Sequence, residues 1–292
     1  MFHISIKQDN YLTYILEDRE NNSRVEVVPE KGGIITAWKL NGQDIFYLDK
    51  ERFKNPQLSV RGGNPILFPI CGNLPDNIFL CEGKQYQLKQ HGFARDLPWE
   101  IVSSSTDETA EIVLKLTDNE ETMSVYPFEF ELTFTYQLVA NRLIILQKYQ
   151  NKSDKVMPFS VGFHPYFWCQ DKSSLDLDIP ASEYSNKTGD KTFTFSGELD
   201  YNQDEIDIAF KQITRDSASF TNHKRNIQVS LKYSELFSTL VFWTLKGKDY
   251  ICLEPWSAPR NALNTGENIT YLQPNQDCEG YFEMEVLDIH PH

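Results

Sequence analysis

The chain has 292 residues, of which 40% are hydrophobic and 13% aromatic, and this is enough apolar side chain to form a large buried core. Lysines and arginines number 28 against 42 aspartates and glutamates, which gives a formal charge of −14. This acidic balance opposes the binding of nucleic acid and adsorption to an anionic membrane, although a local group of arginines can still bind one small anion.

The N-terminal residues and the cysteines bear on the cellular compartment in which the protein is expected. MFHISIKQDNYLTYILEDRE lacks the basic segment and apolar run of a signal peptide, and no stretch has the length and hydropathy of a membrane span. We therefore expect a soluble cytoplasmic protein. The cysteines lack the close pairing of zinc or redox motifs, so we expect reduced, mostly buried thiols. They are Cys71, Cys81, Cys169, Cys252 and Cys278.

The first segment that departs from ordinary strand and turn patterns is SVRGGNPILFPICGNLPDN, residues 59–77. Two glycines follow Arg61 and two prolines interrupt the apolar run, so the interior of a sheet is disfavoured. The glycines would let the backbone approach a ligand closely. Two interpretations stay open at this point, a ligand-binding loop and an elaborate loop beneath the core.

The next such segment is QHGFARDLPW, residues 90–99, which places His91, Arg95 and Trp99 four residues apart. This spacing would align the three on a helix, but Gly92 and Pro98 favour a loop. The histidine and the arginine are either ligand-binding groups or a hydrogen-bonded structural histidine and a surface arginine.

Segments in the middle of the chain predict β-strands, because apolar and polar residues alternate or form short β-branched runs. They are AEIVLKLTD at 110–118, FEFELTFTYQLV at 128–139 and RLIILQKYQN at 142–151. VANR, KLNGQD and CEGKQ indicate turns. No linker or repeat divides the sequence, so we expect one all-β domain over residues 1–292. A large antiparallel β-sandwich is the expected architecture, with a barrel as the alternative.

The segment VGFHPYFW, residues 161–168, places one histidine in an otherwise apolar strand. A buried imidazole has two ring nitrogens to satisfy, so His164 needs specific polar partners or it destabilises the fold. A functional site would supply such partners, and a bond to a backbone carbonyl is the alternative.

Two segments stand out towards the C-terminus. DEIDIAFKQI, residues 204–213, has weak helical spacing. YICLEPWSAPRNALN, residues 250–264, places Glu254 at the end of an apolar strand, two residues before Trp256. Charged residues are rarely buried unless paired, so this carboxylate lies either on the surface or in a cleft. The neighbouring indole favours the cleft, since an aromatic face and a carboxylate together suit a sugar ring.

Taken together, RGGNPILFP, HGFAR with a tryptophan four residues on, GFHPYF and LEPW resemble the aldose 1-epimerase or galactose mutarotase-like family. The order and spacing of these motifs agree with that family over residues 25–288. The segment around Arg61 and the HGFAR form are similar to a hexose-6-phosphate mutarotase branch, whereas LFPICGNL is similar to the plain aldose epimerases. Asn73 stands where many relatives have an arginine.

The resemblance implies a β-supersandwich with a sugar site in a cleft on one sheet, and an isomerase that needs no metal or other cofactor. His164 would be the general acid and Glu254 the general base, facing each other across a hexose-sized gap. His91 would bond to a sugar oxygen. The sugar-binding aspartate would be Asp207, with Asp204 as the rival.

The implied substrate is a small-molecule sugar or sugar phosphate, and the oligomeric state stays open. If Arg61 and Arg95 both point into the cleft, a phosphorylated sugar is favoured, because guanidinium groups bind phosphate with two parallel hydrogen bonds. Candidates for stacking on the sugar, in addition to Trp256, are Phe163, Phe167 and Trp243.

Two other classes of function remain possible on the sequence alone. A carbohydrate-binding protein without activity would share an aromatic cleft but would need neither His164 nor Glu254. A metal enzyme could use those two residues together with His91, although these ligands lack the short spacing of common metal motifs. The remaining histidines have no assigned role, and they are His3, His223, His290 and His292.

Overall fold

The structure is a computed structural model that describes residues 1–289, and strands dominate it. The strands are numbered in chain order: β1 (Phe2–Gln8), β2 (Leu12–Asp18), β3 (Ser23–Val28), β4 (Ile34–Leu40), β5 (Gln43–Asp44), β6 (Ile66–Leu67), β7 (Ile78–Cys81), β8 (Lys84–Gln87), β9 (Glu100–Ser105), β10 (Ala110–Thr117), β11 (Phe130–Val139), β12 (Arg142–Asn151), β13 (Met157–Phe159), β14 (Gly162–Phe163), β15 (Tyr166–Trp168), β16 (Leu175–Asp178), β17 (Glu183–Asn186), β18 (Thr192–Thr194), β19 (Glu205–Phe210), β20 (Ser217–Asn222), β21 (Ile227–Tyr233), β22 (Thr239–Leu245), β23 (Tyr250–Trp256), β24 (Thr270–Leu272) and β25 (Asp277–Asp288).

Helices are few and short. They are α1 (Lys50–Lys54), α2 (Glu120–Val125) and α3 (Ala262–Thr265), with 3₁₀ turns at Pro75–Asn77 and Lys172–Ser174. The sequence did not predict α2, although Asn119 and Thr122 form a capping box at its start. None of the helices in residues 1–289 combines the length and the apolar character needed to cross a bilayer.

Two eight-stranded sheets form the body of the molecule. One has the order β16-β20-β21-β25-β12-β11-β10-β9, and the other contains β18-β17-β19-β22-β23-β14-β6, with β15 also paired to β23. A five-stranded sheet, β1 to β5, and the pairs β13-β24 and β7-β8 complete the described chain. The named strand pairs are antiparallel, as a sandwich of hairpins requires.

Aromatic side chains fill the space between the two large sheets. The Phe163 ring lies 5.1 Å from that of Phe282 and 6.0 Å from that of Phe134, which joins β14 to two strands of the other sheet. Phe167 contacts Phe220 in the same layer. The all-β sandwich is therefore confirmed, and the barrel alternative is wrong. The proposed sugar stacking by Phe163 and Phe167 is also wrong, because both side chains point into this core.

Most of the local predictions agree with the structure. The three central segments form β10, β11 and β12, and Ala140 and Asn141 make the two-residue turn between the last two. KLNGQD and CEGKQ form the β4–β5 and β7–β8 turns. The helical interpretation of 204–213 is wrong, since β19 occupies most of that segment. Pairing with β22 outweighs the weak helical spacing.

Period-two alternation in the strands of the second large sheet creates a polar outer face. In β23, Ile251 and Leu253 join the core between the sheets, whereas Cys252, Glu254 and Trp256 point the other way. The apolar strand that contains LEPW therefore delivers its carboxylate away from the core.

Candidate active site

A cavity of about 180 Å³ lies on this outer face. All seven site residues proposed from the sequence line it, and they are Arg61, His91, Arg95, His164, Asp207, Glu254 and Trp256. The backbone pairing explains part of this convergence, because Val241 is paired with Glu254 and Trp243 with Asp207 across neighbouring strands. Residues far apart in sequence thus share one face of the sheet.

His164 and Glu254 are in direct contact at the base of the cavity. His164 Nε2 lies 3.3 Å from Glu254 Oε1, and the side chains are 12% and 1% exposed, respectively. The expectation that a hexose-sized gap separates them is wrong. Both oxygens of a cyclic hemiacetal are bonded to the same carbon, so an acid and a base that serve those oxygens must lie close together.

Burial shifts the pKa values of this pair in opposite directions. Removal from water, assisted by the Arg95 guanidinium, lowers the pKa of His164 to about 3. Burial also raises the pKa of Glu254 well above its usual range, against a lowering effect from the Trp256 indole, whose Nε1–H donates to Oε2 at 3.0 Å. Burial thus disfavours the charged form of each group, the imidazolium of His164 and the carboxylate of Glu254.

Aromatic rings hold the imidazole of His164. Tyr166 stacks on it at 4.7 Å with an angle of 10° between planes, and Trp243 lies edge-on at 5.7 Å. Nε2 faces Glu254, but Nδ1 is buried and has no hydrogen-bond partner among the described residues. The histidine in VGFHPYFW thus lies not within a strand, as the sequence predicted, but in the two-residue link between β14 and β15, with one nitrogen directed at a carboxylate and the other unpaired.

His91 is fixed by the backbone of Gly72. The backbone N–H of Gly72 donates to His91 Nδ1 at 3.0 Å, and the backbone N–H of His91 donates to the Gly72 carbonyl at 2.7 Å. Nδ1 is therefore an acceptor, so the ring proton of neutral His91 lies on Nε2. Burial, with a contribution from Arg95, lowers the pKa of His91 well below its usual value. This histidine is a neutral donor rather than a cation.

Asp207 lines the cavity, whereas Asp204, the alternative sugar-binding aspartate, does not. Its side chain is 7% exposed in the cavity wall, with Oδ1 2.7 Å from Arg260 Nη2 and Oδ2 3.4 Å from Lys187 Nζ. Asp204 is exposed and is not among the residues that line the cavity. The structure therefore favours Asp207, and it adds two cations, Lys187 and Arg260, that the sequence analysis missed.

Two further cations lack a carboxylate partner. The Arg61 guanidinium lies 5.0 Å from the centre of the Trp243 ring, and Arg95 Nη2 donates to the Gln90 carbonyl at 2.9 Å. Within residues 1–289, neither arginine lies within ion-pair distance of a carboxylate, and Arg95 Nε is buried without a partner. The cavity thus carries two positive charges that a ligand could neutralise.

The possible metal ligands do not fit a metal site well. Over residues 1–289, one group of histidine, cysteine and acidic side chains has its donor atoms within 4.8 Å of one another, and it contains His164, Cys252 and Glu254. His91, part of the set considered from the sequence, is not in it. Burial raises the pKa of the Cys252 thiol well above its ordinary value, and nearby guanidinium groups such as Arg61 oppose a dication.

The other histidines and the cysteines lie apart from this chemistry. His223 pairs with Asp176 at 2.5 Å on the surface, and His3 is outside the cavity lining. His290 and His292 lie outside the described residues. The five cysteines are free, and three of them are buried, which confirms the expected thiols.

Comparisons with known proteins found a matching family model and relatives that cover most of the chain. A family model described as Aldose 1-epimerase matches residues 14–284. A protein of Cenchrus ciliaris provisionally named glucose-6-phosphate 1-epimerase is 26% identical over 284 residues, which cover 88% of this chain and 79% of that protein.

Solved structures of other proteins have the same fold. The Slr1438 protein of Synechocystis sp. PCC 6803 is 48% identical with a TM-score of 0.94, covering 99% of this chain and 100% of that one. A galactose mutarotase-like protein from Clostridium acetobutylicum has a TM-score of 0.83 at 19% identity, with coverages of 98% and 99%. The expected galactose mutarotase-like sandwich is thus confirmed.

Proposed function

The chain belongs to the aldose 1-epimerase family, and on this premise we propose that it interconverts the α and β anomers of a hexose or a hexose 6-phosphate. The observation that supports this most directly is the contact of 3.3 Å between His164 Nε2 and Glu254 Oε1 at the base of a cavity of hexose scale. Such a pair can exchange protons with two oxygens on one carbon.

In the proposed reaction one proton leaves the sugar as another enters. One member of the pair takes the proton of the anomeric hydroxyl while the other protonates the ring oxygen, and the bond between the anomeric carbon and the ring oxygen breaks. The open-chain aldehyde then rotates about the neighbouring carbon–carbon bond and presents its other face. Ring closure reverses both proton transfers, so His164 and Glu254 end as they began.

The shared proton suits a reversible reaction. Neutral His164 beside protonated Glu254 and imidazolium beside carboxylate differ only in the place of one proton. Burial disfavours the charged form of each residue, whereas their mutual attraction favours the charged pair. The reaction passes between these two states each time the ring opens or closes, and the pair gains or loses no net charge.

Two other residues of the cavity would bind the sugar, and a third would position the carboxylate of Glu254. His91 would donate from Nε2 to a sugar oxygen, and Asp207 would accept a hydrogen bond from a hydroxyl. Trp256 is 1% exposed, and its indole holds Glu254, so we assign it chiefly to positioning that carboxylate.

The charges in the cavity support a phosphorylated substrate. Four basic residues line it, Arg61, Arg95, Lys187 and Arg260, against three acidic ones, although acidic residues dominate the chain as a whole. Lys187 and Arg260 contact Asp207, which leaves the two remaining arginines for an anion. Burial lowers the pKa of Arg95, so its charge is costly until a ligand pairs with it.

Freshly dissolved α-glucose, mixed with the purified protein, provides the test. Optical rotation should reach its equilibrium value faster than in buffer alone, and anomeric exchange of glucose 6-phosphate followed by NMR should also be accelerated. Binding of either sugar without acceleration of the exchange would instead indicate a carbohydrate-binding protein, and the proposed activity would be wrong.

The pH profile of kcat/KM for neutral glucose should report the lowered pKa of His164. A second proton adds to the His164–Glu254 pair only near pH 3, so the acid limb is expected there rather than near 6.5. Activity should fall again as the pH rises through the raised pKa of Glu254. Circular dichroism would verify that the protein stays folded, and an acid limb near pH 6.5 would contradict a buried, neutral imidazole.

A further inference from the structure

Arg260 reaches the cavity by an unusual route. It follows β23 by four residues, and its side chain crosses the backbone of Gly72. A Cβ atom built on Gly72 would lie 2.3 Å from Arg260 Cγ, and the φ of Gly72 is +74°. Any side chain at position 72 would therefore displace the arginine as well as strain the backbone.

The guanidinium is then held from two sides. Its Cζ lies 5.1 Å from the centre of the Trp256 ring, and its Nη2 donates to Asp207 Oδ1 at 2.7 Å. The Arg260 side chain is 17% exposed, so most of it is removed from water. Stacking and ion pairing together restrict a side chain that would otherwise occupy many rotamers.

This arrangement leaves hydrogen-bond donors unused. A guanidinium has five N–H donors, and in the described part of the chain Asp207 is the one acceptor recorded for Arg260. Asp207 in turn presents acceptor lone pairs to the same cavity. A donor and an acceptor thus lie side by side, which matches two neighbouring hydroxyl groups on a sugar ring, one giving a hydrogen bond and the other receiving it.

We infer that Arg260 is a specificity-determining residue that donates a hydrogen bond to one ring hydroxyl, next to the hydroxyl bound by Asp207. This role rests on the proposed sugar site. A site built to bond a hydroxyl rejects an analogue that lacks it, because its own polar group is left unpaired. Arg260 therefore selects hexoses that retain a vicinal pair of hydroxyls at this place and discriminates against the deoxy sugar.

The same glycine supports both Arg260 and His91. The Gly72 backbone exchanges two hydrogen bonds with His91, while its missing side chain makes room for the arginine. A change at position 72 should therefore impair the hydroxyl recognition although every functional side chain is still present.

The test combines Arg260→Met with D-glucose and its 2-, 3- and 4-deoxy analogues. Methionine keeps an apolar stem against Trp256 but has no donor. We expect kcat/KM for glucose to fall by about 10- to 100-fold, the range for a hydrogen bond to a charged group. For the analogue that lacks the hydroxyl bonded by Arg260, wild type and variant should differ by much less, because the interaction is already lost.

Gly72→Ala should reproduce this pattern, and Gly42→Ala is the matched control. Gly42 has a similar φ of +78°, but a Cβ there meets nothing within 4 Å. The control therefore introduces backbone strain at a distant turn and should leave kcat/KM for all four sugars unchanged. Arg260→Lys, which keeps the charge beside Asp207, should retain part of the discrimination.

If Arg260→Met lowers kcat/KM by the same factor for glucose and for all three analogues, the inference is overturned. It is also overturned if kcat/KM for glucose does not fall. Dissociation constants from NMR titration of the same sugars give the same comparison without turnover. If the wild type binds the sugars but does not accelerate their mutarotation, the proposed function fails, and the binding data still decide whether Arg260 recognises a hydroxyl.

Discussion

Replacement of Glu254 by glutamine is expected to lower kcat for mutarotation by about 100- to 10,000-fold, the range for loss of one proton-transfer group. Glutamine has nearly the same shape, and its carbonyl can still accept the hydrogen bond from the Trp256 indole. The loss should therefore come from the missing exchangeable proton and not from a collapsed site. Polarimetry on glucose at saturating concentration gives the required kcat.

The same substitution should cost the protein less stability as the pH rises, because the pKa of Glu254 is raised in the folded state. Burial raises the folded-state pKa of Glu254, so its contribution to stability is present below the unfolded pKa and is lost as pH rises through the folded pKa. Glutamine does not titrate. The thermal midpoint of Glu254→Gln, relative to wild type, should thus increase with pH in differential scanning calorimetry.

Glu205→Gln is the matched control for the loss of kcat expected in Glu254→Gln. Glu205 also lines the cavity and also accepts a hydrogen bond from an indole, that of Trp243, at 2.9 Å. Unlike Glu254, it is not in contact with His164. A small effect here and a large one at Glu254 would tie the loss to proton transfer, whereas a Glu254→Gln enzyme of nearly normal kcat would refute the acid–base pair.

The sequence could predict the catalytic candidates because strand periodicity carries them. In β23 the alternation that sends Ile251 and Leu253 into the core also sends Glu254 out of it, and the aromatic residue two positions on shares that face. His164, which lies between β14 and β15, stood out for a different reason, since an imidazole in an apolar segment needs polar partners. The resemblance to a known family then joined segments that local reasoning could not place together.

The sequence analysis did not identify Arg260 and Lys187, because the three-dimensional path of the chain brings them to the cavity. Arg260 belongs to a loop, and nothing in PWSAPRNALN shows that its side chain crosses Gly72 and meets Asp207. Lys187 lies after β17, in a hairpin whose position follows from sheet pairing alone. No motif in the sequence marks these two residues, and weak helical spacing obscures β19, the strand that carries Asp207.

The burial of polar and titratable side chains is central to how the proposed site would act and to what it demands of the fold. His164, Glu254 and Asp207 are all nearly withdrawn from water on the face of a sheet, where hydrogen bonds and charges interact more strongly than in solvent. A sandwich with a large aromatic core can tolerate these unfavourable groups. The rings around His164 further restrict its motion, so under the proposed function the imidazole would be held in place for proton transfer before the sugar arrives.

Substitution of Arg61 by methionine should separate phosphorylated from neutral sugars. The guanidinium lies over Trp243 without a carboxylate partner in residues 1–289, so a phosphate would be its natural counter-ion. Loss of a charge-assisted hydrogen bond corresponds to an increase of about 10- to 100-fold in KM for glucose 6-phosphate. The kcat should change little, because the phosphate is bound alike in the ground and transition states.

Neutral glucose should show no comparable change with Arg61→Met, since it has no anion to lose. Arg142→Met is the control for the removal of a positive charge as such, because Arg142 pairs with Glu283 at 3.5 Å outside the cavity. Mutarotation kinetics with both sugars, repeated at raised salt, should show that only the glucose 6-phosphate reaction of the wild type weakens with ionic strength. If Arg61→Met reduces kcat/KM equally for both sugars, the arginine acts on the sugar ring or on Trp243, and the substrate need not carry a phosphate.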